Sequence, residues 1–141
     1  SYAHAKQIIG MVKGWLPNYN ALAGRNGRLA KKVARDGFVS TINGRRQVVN
    51  KDKTYVALSA VIQGSGADIF KQGFINASEA VAHLGAQPVL LVHDEIGTEC
   101  PIEHAEECRR LQDDAMRSAW DLYPSLQGSS AIAYNNYSEA K

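Results

Sequence analysis

Leu90-Leu91-Val92-His93-Asp94-Glu95-Ile96 is the stretch on which the reading of this chain turns. Pro88 to Val92 is an apolar run of strand length, and Ile96 to Glu99 is a second. His93, Asp94 and Glu95 separate the two, which predicts an antiparallel hairpin with an acidic tip. Burying a carboxylate without a partner is expensive, so an apolar hairpin needs a reason to carry charge at its turn. A plain solvated turn is one reason. A hard divalent cation held by carboxylate oxygens is another. The hairpin residues by themselves leave both open.

Upstream, Lys53 to Leu84 reads as one long helix, with Leu58, Ile62, Ile69, Phe70, Phe74, Ala77, Val81 and Leu84 near the helical period and Gly85 as its stop. Gly64 and Gly66 lie inside it, each costing ~1 kcal/mol against alanine. Either something approaches the backbone closely there or the helix packs tightly. Phe38-Val39-Ser40-Thr41-Ile42 alternates and runs into Asn43-Gly44, a dipeptide preferred in type I′ turns, with Arg45, Arg46, Val48 and Val49 on the return strand. Before that, Asn20 to Arg35 reads as a basic helix stopped by Gly37, and Ala5 to Trp15 as a helix ending before Pro17. Downstream, Pro101 opens a helix running to about Leu122 through Ile102, Ala105, Cys108, Leu111, Ala115 and Ala119. Residues 130–134 read as a last strand. The fold class is α+β, with short antiparallel hairpins packed on long helices.

A length of 141 residues suits one domain, and 45% hydrophobic with 21% charged residues is the balance of a globular chain, not a disordered one. No apolar run reaches the ~20 residues of a membrane span and no secretory leader opens the sequence, so no membrane partner and a cytoplasmic setting are expected. Cys100 and Cys108 fit neither a CxxC pair nor a disulfide scaffold, and neither they nor His4, His83 and His104 have zinc-ligand spacing. Charge is unevenly placed. Residues 1–53 hold eleven Lys or Arg against two Asp, and residues 54–141 hold five against twelve Asp or Glu. A net +9 followed by a net −7 suggests a phosphate-binding surface beside a cation-binding one, or simply a solvated basic helix.

Three segments together resemble one family. Leu91-Val92-His93-Asp94-Glu95 resembles motif C of the family A (DNA polymerase I-like) DNA polymerases. Gln63-Gly64-Ser65-Gly66-Ala67-Asp68-Ile69 resembles that family's Q-G-[ST]-x-A-D-I helix segment, and Gly37 to Arg46 its G-[YF]-[VA]-x-T-x-x-G-R-R hairpin. They stand in the family's order and at about its spacing. The resemblance covers essentially the whole chain, down to Asn135-Asn136-Tyr137, which is similar to a terminal Asn-Trp with Tyr in place of Trp.

This resemblance implies a partial polymerase palm with adjoining fingers-side helices, spanning residues 1–141 as the C-terminal part of a polymerase domain. It implies DNA-directed DNA synthesis by two-metal catalysis with Mg²⁺, on primer-template DNA and deoxynucleoside triphosphates. Asp94 would be the motif C metal ligand, Glu95 a second catalytic carboxylate with a lesser role, and His93 a contact to the primer end. Gln63 would reach the minor groove, where purine N3 and pyrimidine O2 are acceptors common to all correct pairs. Arg45 would bind near the primer end and Arg46 would support it at a phosphate, unless Arg46 is a structural ion-pair partner.

The sequence also departs from the family. Ser59 stands where many members have Asn, and Tyr55 where many have Arg, so contacts to DNA along this helix are expected to be weaker or differently made. Motif A, a strand reading D-Y-S-x-[IL]-E that carries the other essential aspartate, has only a scrambled echo in Asp121-Leu122-Tyr123-Pro124-Ser125. Motif B, the nucleotide-binding fingers helix, would lie before Ser1. The expectation is therefore a fragment or a split-polymerase subunit, inactive without a segment carrying motifs A and B, with a leftover apolar face for that segment. A non-catalytic DNA-binding module that keeps the palm fold is the alternative. A single-subunit RNA polymerase is disfavoured, since its motif C would resemble His-Asp-Ser.

Overall fold

The computed structural model describes residues 6–7, 10–11, 18–23, 26–119, 128–135 and 137–140. Lys6, Gln7, Gly10 and Met11 are helical, and the rest of the helix expected over Ala5 to Trp15 lies outside the described residues. The chain divides into two compact units, Ser1–Ser65 and Gly66–Lys141.

In the first unit, one helical turn at Tyr19–Leu22 precedes helix α1, Arg28–Asp36. A single helix over Asn20 to Arg35 is thus corrected. Gly27 is extended (φ −69°, ψ 163°) as the N-cap of α1, and extended backbone cannot continue the preceding turn. Gly37 ends α1 in the left-handed region and donates its N–H to the Val33 carbonyl at 2.8 Å. Strands β1, Phe38–Ser40, and β2, Arg46–Val48, pair antiparallel with Phe38 opposite Val48 and Ser40 opposite Arg46. The turn between them is not type I′. The Gly44 N–H bonds the Thr41 carbonyl and the Thr41 N–H bonds the Arg45 carbonyl, both at 2.9 Å, enclosing a three-residue loop. Type I′ needs positive φ at both Asn43 and Gly44, and only Gly44 (82°) has it, giving a type I turn followed by a left-handed glycine. The small core here is Val33, Val39, Val49 and Ala57, flanked by Leu29, Val56, Ala60 and Val61.

A 3₁₀ segment, Lys51–Val56, leads into helix α2, Ala57–Val81. The helix expected from Lys53 therefore starts later, because Lys53 (φ −116°, ψ 40°) is non-helical. The Asn50 side chain caps the segment by accepting from the Asp52 N–H at 2.8 Å. Helix α2 continues from the first unit into the second and closes through 3₁₀ residues Ala82–Leu84 at Gly85 (φ 72°).

In the second unit, strands β3, Gln87–Val92, and β4, Glu95–Glu99, form the second hairpin, with Val92 opposite Glu95 and a bulge between Pro88 and Leu90. A proline has no N–H for the ladder, and an irregular register at Pro88 is where one is tolerated. Helix α3, Ala105–Ser118, follows Pro101 and the 3₁₀ turn Ile102–His104. Its continuation towards Leu122 lies outside the described residues, as does Asp121 to Ser125. The core is Val81, Leu84, Ala86 and Cys108, with Cys100 and Leu111 packed against it. Helices α2 and α3 meet where a Cβ on Gly73 would come 2.9 Å from Met116 Sδ, and Asn76 Nδ2 donates to Ser118 Oγ at 3.1 Å. The strand expected over 130–134 does not form: the segment pairs with no strand, and Ser130 Oγ instead donates to the Asp113 carboxylate at 2.6 Å. The fold class is α+β, as expected. Among the described residues no helix is long and apolar enough to cross a membrane.

Candidate functional site

His93 and Asp94 are the two loop residues of the β3–β4 hairpin, and Glu95 is the first residue of β4. The pairing of Val92 with Glu95 leaves only two residues to reverse the chain, so His93 takes a positive φ of 57°. It is the only non-glycine among the described residues to do so. Such backbone is sparsely populated for a side chain with a Cβ, and it clusters at functional sites. The turn projects Asp94 into solvent, and among the described residues no side chain is bonded to it. His93 lines a depression of about 260 Å³ together with Ala67, Phe70, Lys71, Phe74 and Leu91. Strand β3 itself is bare, with Val89, Leu90, Leu91 and Val92 between 38% and 56% exposed. Four consecutive exposed apolar residues on a strand make an uncovered surface of the kind that binds further chain.

Glu95 differs from Asp94 in having a partner. The Tyr137 hydroxyl donates to its carboxylate, and that bond pushes the phenol's pKa up. Tyr137 is held in place by the 3₁₀ turn Tyr137–Ala140, which Asn135 braces. Asn135 Nδ2 and its backbone N–H reach the Glu139 carboxylate at 3.1 and 3.2 Å, holding that carboxyl below its usual range. The contact between Tyr137 and Glu95 spans more than forty residues. Sequence reasoning registered Tyr137 only as a departure from Trp, and nothing local in the sequence joins it to the hairpin.

The remaining candidates sit in the first unit. Arg45 is exposed and donates Nη2 to the Gly64 carbonyl at 3.2 Å, while the Ile42 N–H donates to Ser65 Oγ at 3.0 Å. The β1–β2 loop is thus fastened to helix α2 by both bonds. Gly64 is buried, and a Cβ there would meet Gln47 Oε1 and come 2.9 Å from Thr41 Cγ2. Gln47 Oε1 is itself buried without a hydrogen-bond partner, so only the absence of a side chain at Gly64 makes room for it. Gly66 is exposed, with nothing within 4 Å of an added Cβ. Of the two glycines, Gly64 serves packing and Gly66 leaves an open stretch of helix surface. Gly64→Ala should therefore lower the unfolding free energy by about 1–2 kcal/mol, overpacking being partly offset by alanine's helix propensity. Gly66→Ala should raise it by up to ~1 kcal/mol. Urea unfolding of both variants checks this, and equal stabilities would mean that the hairpin is not seated on the helix at Gly64.

Gln63 is exposed on α2. Arg46 lies over the Phe38 ring, its guanidinium carbon 4.8 Å from the centroid, and Lys32 covers the same ring at 4.4 Å. Much of the basic segment is likewise engaged. Asp36 accepts from Arg35 Nε at 2.6 Å and from Lys32 Nζ at 2.9 Å, and these bonds hold its carboxyl far below the usual range. Among the described residues no three His, Cys, Asp or Glu side chains gather as a metal-binding group.

The sequence profile described as DNA polymerase family A matches residues 4–138. A thermostable DNA polymerase I of Thermus thermophilus is 28% identical over 116 residues, covering 82% of this chain and 14% of that protein. DNA polymerase I of Mycobacterium tuberculosis is 33% identical over 113 residues, covering 72% of this chain and 12% of that protein. Among solved structures, the POL domain of Pol1 from M. smegmatis, in complex with DNA primer-template and dNTP, superimposes with a TM-score of 0.57. It is 33% identical, and the match covers 64% of this chain and 18% of that one. The chain spans about one-seventh of the length of the first of these relatives.

Proposed function

The chain belongs to DNA polymerase family A, and we propose that it supplies the motif C part of that family's palm to templated DNA synthesis from deoxynucleoside triphosphates. The observation that carries this reading is the tight hairpin turn that strains His93 and leaves Asp94 exposed at the end of an apolar strand pair. A solvated turn alone would not need the bare apolar run of Val89 to Val92 that leads into it.

In this reading Asp94 holds Mg²⁺. An exposed carboxylate without a described partner suits a hard cation in kind, though one carboxylate is fewer than such an ion takes. The bound metal would lower the charge barrier to nucleotidyl transfer. The chain's own side chains do the rest. The Tyr137 hydroxyl holds Glu95 to one side, so that Glu95 supports Asp94 and does not swing into its place. His93 contacts the primer end from the rim of its depression. Gln63 reads the minor groove, and Arg45 and Arg46 approach backbone phosphates from the β1–β2 hairpin. The exposed face of β3 receives the segment that carries motifs A and B. The test is primer extension by this chain assembled with such a segment. Tight DNA binding without extension in every such assembly would instead make it a non-catalytic DNA-binding module.

Two substitutions probe the DNA contacts. Losing one minor-groove donor costs about 1–2 kcal/mol, so Gln63→Ala should slow extension ~10-fold, and equally for all four template bases. A defect confined to one base would contradict the shared-acceptor argument. Arg45→Ala should flatten the plot of log binding constant against log salt by ~0.9, the share of one neutralised phosphate. An unchanged slope would leave Arg45 only the task of pinning the hairpin to Gly64.

A further inference from the structure

Cys100 and Cys108 are eight positions apart and belong to different elements, Cys100 just after β4 and Cys108 in the first turn of α3. The fold nevertheless brings their thiols together. Cys100 packs against the core cluster that contains Cys108, and it is near enough to Cys108 to push that thiol's pKa up. Their elements are also latched. Gln112, one turn beyond Cys108, donates Nε2 to Thr98 Oγ1 at 2.6 Å and accepts from Cys108 Sγ at 3.9 Å. These are the only cysteines in the sequence. Their surroundings are unequal: Cys108 is 3% exposed, whereas Cys100 is half-buried and lines a depression of about 250 Å³ with Gly85, Gln87, Glu99 and Pro101.

We propose that Cys100 and Cys108 form a reversible disulfide site, oxidised by a small disulfide of the glutathione class, that fastens the base of β4 to α3. The inequality of the two thiols sets the order of events. The Cys100 thiolate attacks one sulfur of oxidised glutathione, the glutathione S–S bond breaks, and one glutathione leaves as a thiolate. Cys108 then loses its proton and attacks the Cys100 sulfur, forming the Cys100–Cys108 bond and expelling the second glutathione thiolate. The protein gives up two protons and two electrons, and one oxidised glutathione becomes two reduced ones. Cys108 is unsuited to the first attack. Burial above all, then the charge of nearby Cys100, push its thiol up to about 11. Once Cys100 is a mixed disulfide its charge is gone, and that part of the opposition to Cys108 is lifted. The bridge would close only the short segment holding Pro101 and the Ile102–His104 turn. It would act on β4, whose first residue is Glu95, without touching the hairpin tip.

The experiment incubates the 141-residue chain with oxidised glutathione and follows intact mass. The expected product has lost about 2 Da, carries no lasting adduct, is monomeric, reverts with dithiothreitol, and yields a peptide linking Cys100 to Cys108. Cys108→Ser should stop at one glutathione, about 305 Da heavier, and Cys100→Ser should react at least ~10-fold more slowly than the unsubstituted chain. A persistent glutathione adduct on the unsubstituted chain, or a disulfide between two chains, overturns the proposal. If a variant does not fold, the peptide map of the unsubstituted chain still decides.

Discussion

Replacing Asp94 by alanine should abolish primer extension by the assembled polymerase and leave its affinity for primer-template DNA nearly unchanged. The two halves of this expectation rest on different observations. Asp94 is exposed at a turn and bonded to no described side chain, so its removal should move folding stability by no more than about 0.5 kcal/mol. Nor is it suited to bind a polyanion, since a carboxylate repels phosphate. What it offers is a hard oxygen ligand, and metal-assisted transfer draws several kcal/mol of transition-state stabilisation from such ligands. At ~1.4 kcal/mol per decade, extension should fall by at least ~10³-fold. Single-turnover extension and equilibrium DNA binding, measured on the same preparation, separate the effects. Glu95→Ala should be milder, because the Glu95 carboxylate is already tied to Tyr137. Substantial extension by the Asp94→Ala assembly would remove Asp94 from the catalytic role and leave the hairpin as a scaffold.

The hairpin was legible because its signals were local. An apolar run, a polar triplet and a second apolar run fix two strands and a turn without help from distant chain. The same holds for the long helix, whose stop at Gly85 needs nothing beyond a left-handed glycine. The type of the first turn was not legible. Asn43-Gly44 suits a type I′ turn, but the Thr41 and Arg45 bonds take the chain round with one more residue. Local preference there yields to the seating of the loop on α2, through Ile42 to Ser65 and Arg45 to Gly64. Of the two helical glycines, the sequence could not tell which was packed, because the Gln47 side chain that fills the space at Gly64 comes from another element. The tight crossing at Gly73 went unread for the same reason. The site divides along the same line. His93, Asp94 and Glu95 are consecutive and were found together, whereas Tyr137 on Glu95 and Cys100 on Cys108 are meetings that only the fold arranges.

The isolated 141 residues should show no primer extension with Mg²⁺ or Mn²⁺ at any concentration, and a polypeptide carrying motifs A and B should restore it. The expectation follows from counting carboxylates. Two-metal catalysis calls for divalent ions ~4 Å apart, and their repulsion, four times the ~1 kcal/mol of unit charges at that distance in water, has to be met by ligands between them. Asp94 is the one such ligand proposed here. Glu95 is its neighbour, but it opens strand β4 while Asp94 lies in the turn, and its carboxylate is held by Tyr137. It cannot serve both Tyr137 and a second ion squarely. Among the described residues no other acidic side chain gathers with them. The motif B side chains that would place a triphosphate are likewise expected from the complementing segment. The exposed strand β3 gives a complementing segment somewhere to dock, so restoration should require an apolar strand face. A charged substitution there, Leu91→Lys, should prevent complementation while leaving the isolated chain folded, because Leu91 is 51% exposed. Template-dependent extension by the purified chain alone would show that a second ligand set exists within it. Complementation undisturbed by Leu91→Lys would place the docking surface elsewhere.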